Sequence, residues 1–111
     1  MSAVATEIAL AAYRPRGGLE DALVELLRED VATLRARGHV TDRPAPLVRT
    51  ADGDLLLVIE WSSEHAVDDA HADPDVLAVW ERKERLADYI APAVLARAET
   101  PFARWTLLAD L

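Results

Sequence analysis

The sequence predicts a single α+β domain with its elements in the order β-α-β-β-α-β, the ferredoxin-like arrangement of a four-stranded antiparallel sheet. Three observations carry this expectation. Residues 19–37 repeat apolar side chains at helical spacing, an Asp-Gly turn separates two apolar runs, and period-two runs open and close the chain. A length of 111 residues suits one domain spanning 1–111. Hydrophobic residues make up 51% of it, enough to build a core.

Residues 6–14 set Ile8, Leu10 and Ala12 against Ala9, Ala11 and Tyr13, the alternation of a first strand, which Pro15 and the Gly17-Gly18 pair then stop. Over 19–37, Leu19, Leu23, Leu26, Leu27, Val31 and Leu34 form the apolar stripe of a helix. Glu20 and Asp21 at its start and Arg35 and Arg37 at its end complement the helix dipole, and Gly38 supplies a left-handed C-terminal cap. Residues 39–46 hold two prolines and read as a loop. The runs 47–50 and 55–61 flank Asp52-Gly53, a strong hairpin signal. Leu55 to Ile59 is apolar on both strand faces, as expected of a strand covered on both sides.

A second helical region begins at 64–71 and restarts at Asp73-Pro74, where Asp caps and Pro suits the first turn. Val76, Val79, Trp80, Leu86, Ala87 and Ile90 extend its inward stripe until Pro92 ends it. Residues 93–100 can hold a short further turn, and 102–108 are expected to form the last strand. Two helices in this order pack on one sheet face and leave the other bare. Leu10, Ala12, Leu56, Val58 and Leu107 would then form an apolar surface larger than monomers usually expose. A homodimer pairing sheet to sheet is the expected solution, the alternative being a face covered by the chain's own ends.

Composition excludes several classes. The formal charge of −8, from twenty acids and twelve bases, repels phosphate backbones, and no basic stripe with interleaved aromatics offsets it, so nucleic-acid binding is not expected. No apolar run approaches the ~20 residues that span a bilayer. The N-terminal residues lack the basic start of a signal peptide, so the expected location is cytoplasmic. There is no cysteine, hence no disulfide or thiolate chemistry. Eleven arginines against the one Lys83, abundant alanine, and the absence of Asn and Gln point to a GC-rich coding sequence, as in many bacteria. The missing amides also mean that no Asn or Gln can orient a substrate. No GxSxG, Walker A, GxGxxG or HExxH motif occurs.

The segments Ile59-Glu60-Trp61-Ser62-Ser63-Glu64 and Ala70-His71-Ala72-Asp73-Pro74, followed by Trp80, resemble the antibiotic-biosynthesis monooxygenase-like domain of the dimeric α+β barrel superfamily. The resemblance covers nearly the whole chain through element order and length. It implies a cleft between sheet and helices in each subunit of a dimer. Members oxidise polycyclic phenols with dioxygen and no bound cofactor, degrade haem, or process small signalling molecules. The haem-degrading branch uses an Asn on its first strand, and this chain has none. His71 falls near that branch's Trp position and Trp80-Glu81 near its His, which argues against haem degradation.

His71 is the candidate catalytic base, since imidazole's ordinary pKa near ~6.5 suits proton transfer at neutral pH. Its structural alternative is a ring that fastens the turn before Asp73-Pro74. Trp61 and Trp80 are candidate walls for an aromatic ligand, or core residues. Tyr13 can reach the cleft, and His65 and Arg104 complete the candidate binding set. His65, Asp68, Asp69 and His71 spread over nearly half the helix circumference, too widely for one metal ion, and no metal or cofactor is expected. Arg49 and Arg104, within strands, each need an anion, a carboxylate such as Glu60 being the first choice. Tyr89 reads as helix packing. Two functions follow as expectations: a cofactor-independent monooxygenase-like protein acting on phenolic or polyketide-like aromatics, or a non-catalytic dimeric ligand-binding or interaction module.

Overall fold

In a computed structural model, residues 5–111 are described and form one α+β unit. Strand β1 (Glu7–Pro15) leads to helix α1 (Glu20–Ala36), the hairpin β2 (Pro46–Arg49) and β3 (Leu55–Trp61), then helices α2 (Ala66–His71) and α3 (Pro74–Glu84). Two further strands, β4 (Ala87–Ile90) and β5 (Thr106–Asp110), flank a 3-10 turn over Pro92–Val94. The sheet is antiparallel in the order β4-β1-β3-β2-β5. Its first four strands have the ferredoxin-like order. The sheet therefore has five strands where the sequence suggested four, and β5 lengthens the β2 edge.

The correction lies between Arg85 and Thr106. Residues 87–90, expected to continue the second helix, pair with β1, setting Tyr89 opposite Tyr13 and Ile90 opposite Ala12. The helix stops at Glu84, and the Arg16 amide donates to the Leu86 carbonyl at 2.9 Å, aligning the returning chain with the β1 edge. Four residues before Ala91-Pro92 are too few for periodicity to separate helix from strand, and the open donors and acceptors of β1 decide the matter. The last strand begins at Thr106, four residues later than residue 102. Phe102 to Trp105 instead form a connection, held where the Trp105 indole donates to the Ala96 carbonyl at 2.9 Å.

The helices cover one sheet face. Leu23, Leu27, Val31 and Leu34 of α1 and Val76 of α3 pack on Tyr13, Leu47, Leu55, Leu57, Ile59 and Trp61. Fully burying each such aliphatic side chain contributes ~1.5–3 kcal/mol. Helix α1 ends as its sequence predicts. Gly38 has φ 77°, its amide bonds to the Arg35 carbonyl, and the His39 amide reaches the Leu34 carbonyl at 2.9 Å. Gly53, with φ 89°, likewise permits the hairpin turn that places β2 beside β3.

The second face is partly covered by the chain itself. Leu95, only 2% exposed, packs with Ala12 and Leu56, and Val48, Val58, Ile90, Ala98 and Trp105 surround them. Ile8, Leu10 and Leu107 remain more than half exposed, so an apolar remnant of that face is open. Among the described residues no helix is long and apolar enough to cross a membrane.

Asp73 joins the two helical regions. Its carboxylate caps α3 by accepting from the Asp75 amide at 3.0 Å. It also accepts from Arg37 Nε at 2.8 Å and from His39 Nε2 at 2.9 Å. His39 thus does the fastening that the sequence offered to His71. These donors, His39 foremost and then Arg37, hold the Asp73 carboxyl far below the usual carboxylate range. A depressed folded-state pKa stabilises the fold above the unfolded value, and that contribution is lost as pH falls through the folded value. Thermal melting followed from pH ~7 to ~2 is expected to show falling stability below pH ~4–5. Asp73→Asn is expected to melt earlier at neutral pH and to show a shallower acid dependence.

Candidate functional site

Helix α1 turns one acid toward the core. Asp30 follows Leu26 and Leu27 at i+4 and i+3, on the side of α1 that packs on the sheet, and is 2% exposed. Lys83 holds the matching position on α3 and is 4% exposed. The Lys83 ammonium donates to Asp30 Oδ2 at 2.8 Å and to the Tyr13 hydroxyl at 3.1 Å. The Trp80 indole donates to the other Asp30 oxygen at 3.0 Å. Both carboxylate oxygens are therefore engaged, and no buried side-chain polar atom among the described residues lacks a partner.

Aromatic rings enclose this network. Lys83 Nζ lies 5.7 Å from the Trp80 ring centroid and 5.5 Å from that of Tyr89, within cation–π range. Tyr13 and Tyr89, paired across β1 and β4, bring their rings to 5.5 Å. Above them is a cavity of about 240 Å³ lined by these groups and by apolar Ala11, Leu34, Leu57 and Ile59. Trp61 and His71 complete the wall, the His71 ring standing edge-on to Trp80 at 4.9 Å.

Proton positions follow from the partners. A carbonyl only accepts, so His71 Nδ1, 2.8 Å from the Val67 carbonyl, carries a hydrogen, and in the neutral ring Nε2 is an open acceptor. His71 is exposed, which puts this acceptor at the cavity mouth. Burial, and secondarily the Asp30 charge, raise the Tyr13 phenol above its ordinary value, so it stays protonated. Its oxygen accepts from Lys83, and its own hydrogen is left for another acceptor. Partial burial pushes the Tyr89 phenol up as well.

Four of the six residues singled out from sequence converge here: His71, Trp61, Trp80 and Tyr13. The other two do not. His65 precedes α2 on the surface, 3.3 Å from Glu64, and Arg104 lies beside Trp105 at a separate hollow. Arg49 meets Glu20 at 2.7 Å, while Glu60 takes Thr41 at 2.7 Å and Arg43 at 3.2 Å. Arg104 has no carboxylate partner among the described residues, contrary to expectation. Tyr89, expected to pack as part of a helix, is a β4 residue that lines the cavity.

Sequence reasoning missed Lys83 and Asp30. Each left a trace: Asp30 interrupts an otherwise apolar helix stripe, and Lys83 is the lone lysine, seven residues after the inward Val76. Neither trace identifies its partner, 53 positions away.

The fold and site together define a small α+β domain with an aromatic-walled cavity over a buried ion pair. In comparisons with known proteins, no family model, curated protein or solved structure matches this chain.

Removing Lys83 strands a buried carboxylate. Lys83→Met is expected to destabilise the fold by ~3–5 kcal/mol in chemical denaturation. Combining it with Asp30→Leu removes the orphaned charge, and the double variant is expected to be more stable than Lys83→Met alone. Equal or greater loss in the double variant would show that packing, and not the pair, sets the cost.

Proposed function

We propose that the cavity binds a small phenol or enol, and that the protein is related to the cofactor-independent monooxygenases its motifs resemble. The observation that carries this reading is the cavity floor. Tyr13 is a neutral donor with an uncommitted hydrogen, and the Lys83 ammonium lies 3.1 Å behind its oxygen. An oxygen atom that gains negative charge at this point receives a preorganised hydrogen bond, away from water. Trp61, Trp80 and Tyr89 offer flat apolar surface for a ring. A volume of about 240 Å³ lies below the ~300–1,000 Å³ of sites for larger ligands, and suits one or two fused rings better than a tetracyclic skeleton.

In the oxygenase reading, His71 Nε2 takes the proton of the phenol or of an activated CH. The resulting anion gives an electron to dioxygen, the co-substrate, the radical pair joins as a carbon peroxide anion, and the His71 imidazolium returns its proton to give the hydroperoxide. Loss of water then leaves a quinone-type carbonyl. His71→Ala is expected to lower oxygen uptake with hydroquinones or anthrones at least ~10²-fold while leaving ligand binding intact. Undiminished uptake in that variant removes His71 from the chemistry. The second reading is a non-catalytic ligand-binding module. It is favoured by the mutual neutralisation of Lys83 and Asp30, which leaves His71 as the one open base among the cavity's described residues. Saturable tryptophan quenching by phenols without oxygen uptake selects it.

The same reading includes a homodimer formed by the open remnant of the second sheet face. Ile8 and Leu10 on β1 and Leu107 on β5 carry no charge, lie on one sheet face on either side of the part that Leu95 covers, and can meet a second copy of that face across a two-fold axis. Sedimentation is expected to give a dimer for the wild type and a monomer for Leu10→Glu. A monomeric wild type would end this part of the proposal.

A further inference from the structure

Away from the cavity, the arginines divide sharply. Nine of the eleven lie within 4.0 Å of a carboxylate: Arg14, Arg16, Arg28, Arg35, Arg37, Arg43, Arg49, Arg82 and Arg85. Among the described residues only Arg97 and Arg104 have no such partner, and both line the same hollow of about 410 Å³. Carboxylates are not scarce in a chain with twenty acids, and Asp52 and Glu99, one and two residues from the lining Ala51 and Arg97, make no ion pair. Two guanidinium groups that line one hollow without a carboxylate partner give it a positive charge that an anion would offset.

Two aromatic rings share the hollow with Ala51 and Ala96. Phe102 is 78% exposed, an unusual state for a phenylalanine, and faces the same space as Trp105. The Trp105 indole is tied to the Ala96 carbonyl, and the Thr100 hydroxyl donates to the Arg97 carbonyl at 2.7 Å. Arg97 is the one described non-glycine residue with positive φ, at 73°. Holding an L-residue there costs free energy, which the loop sustains through these bonds. A second hollow of about 480 Å³ adjoins, sharing Ala51, Arg104 and Trp105.

We infer that this cleft, between the β2–β3 hairpin and the loop before β5, binds a small aromatic molecule carrying a carboxylate or phosphate. The two guanidinium groups grip the anion, and Trp105 and Phe102 stack on the ring. The inference is independent of the phenol cavity, which lies on the other sheet face.

The test uses the whole chain with 2-naphthoate and 2-naphthyl phosphate as probes and neutral 2-naphthamide as control, read by calorimetry and by the indole N–H signals in NMR. At least one anion is expected to bind saturably and shift the Trp105 indole, with the amide about tenfold weaker or worse. A variant combining Arg97→Gln and Arg104→Gln, both exposed positions, is expected to lose affinity about tenfold while the Trp61 and Trp80 signals stay in place. Which anion binds decides between carboxylate and phosphate. Equal binding of the amide, shifts confined to Trp61 and Trp80, an unchanged double variant, or no saturable binding would overturn the assignment. So would a change in sedimenting mass in the double variant, which would give the arginines to a contact between copies.

Discussion

The Asp30–Lys83 pair is the interaction on which the rest of the structure depends. It joins α1 to α3 beneath the cavity and reaches β1 through Tyr13, so three elements meet at one charge-assisted cluster. An ion pair this deep is not a cheap source of stability, because desolvating two charges offsets much of their attraction. Its effect is positional. With both oxygens of Asp30 engaged by Lys83 and Trp80, the Trp80 ring, the ammonium and the Tyr13 hydroxyl have fixed places. A purely apolar floor of similar volume could pack as well and would present no donor to a ligand.

That polar floor, an apolar wall and an open imidazole at the mouth are what make the cavity more than a packing defect. The groups divide labour by solvent access. Tyr13 and Lys83, nearly dry, interact strongly with any charge that develops inside. His71 remains in contact with water and can exchange its proton. The opposite sheet face follows another logic. There the 91–105 connection shields only the part around Ala12 and Leu56. What it leaves is an apolar remnant beside a cleft whose two arginines have no internal counter-charge.

Much of the fold was legible because its signals are local. The stripe of α1 and its Gly38 cap, the Asp52-Gly53 hairpin and the Asp73-Pro74 start of α3 each depend on side-chain spacing or on a backbone angle one residue type supplies. The strand over 87–90 was not legible, since it exists to satisfy the β1 edge and its Tyr89 and Ile90 fit either period. The site was half legible. Aromatics and a histidine near strand and helix ends are conspicuous, and four of them do share the cavity. A buried lysine reads in sequence like any surface lysine until its carboxylate is found.

By itself the sequence determined the span of α1, the start of α3, the hairpin, an acidic chain without cysteine, and a strand apolar on both faces, because these follow from residue types within a few positions of each other. Tertiary structure alone decided the fifth strand, the pairing of Asp30 with Lys83, the tautomer that leaves His71 Nε2 open, and the isolation of Arg97 and Arg104 from every described acid. Each of these depends on groups far apart in the chain meeting within a few ångströms. Local spacing carries no record of such distances.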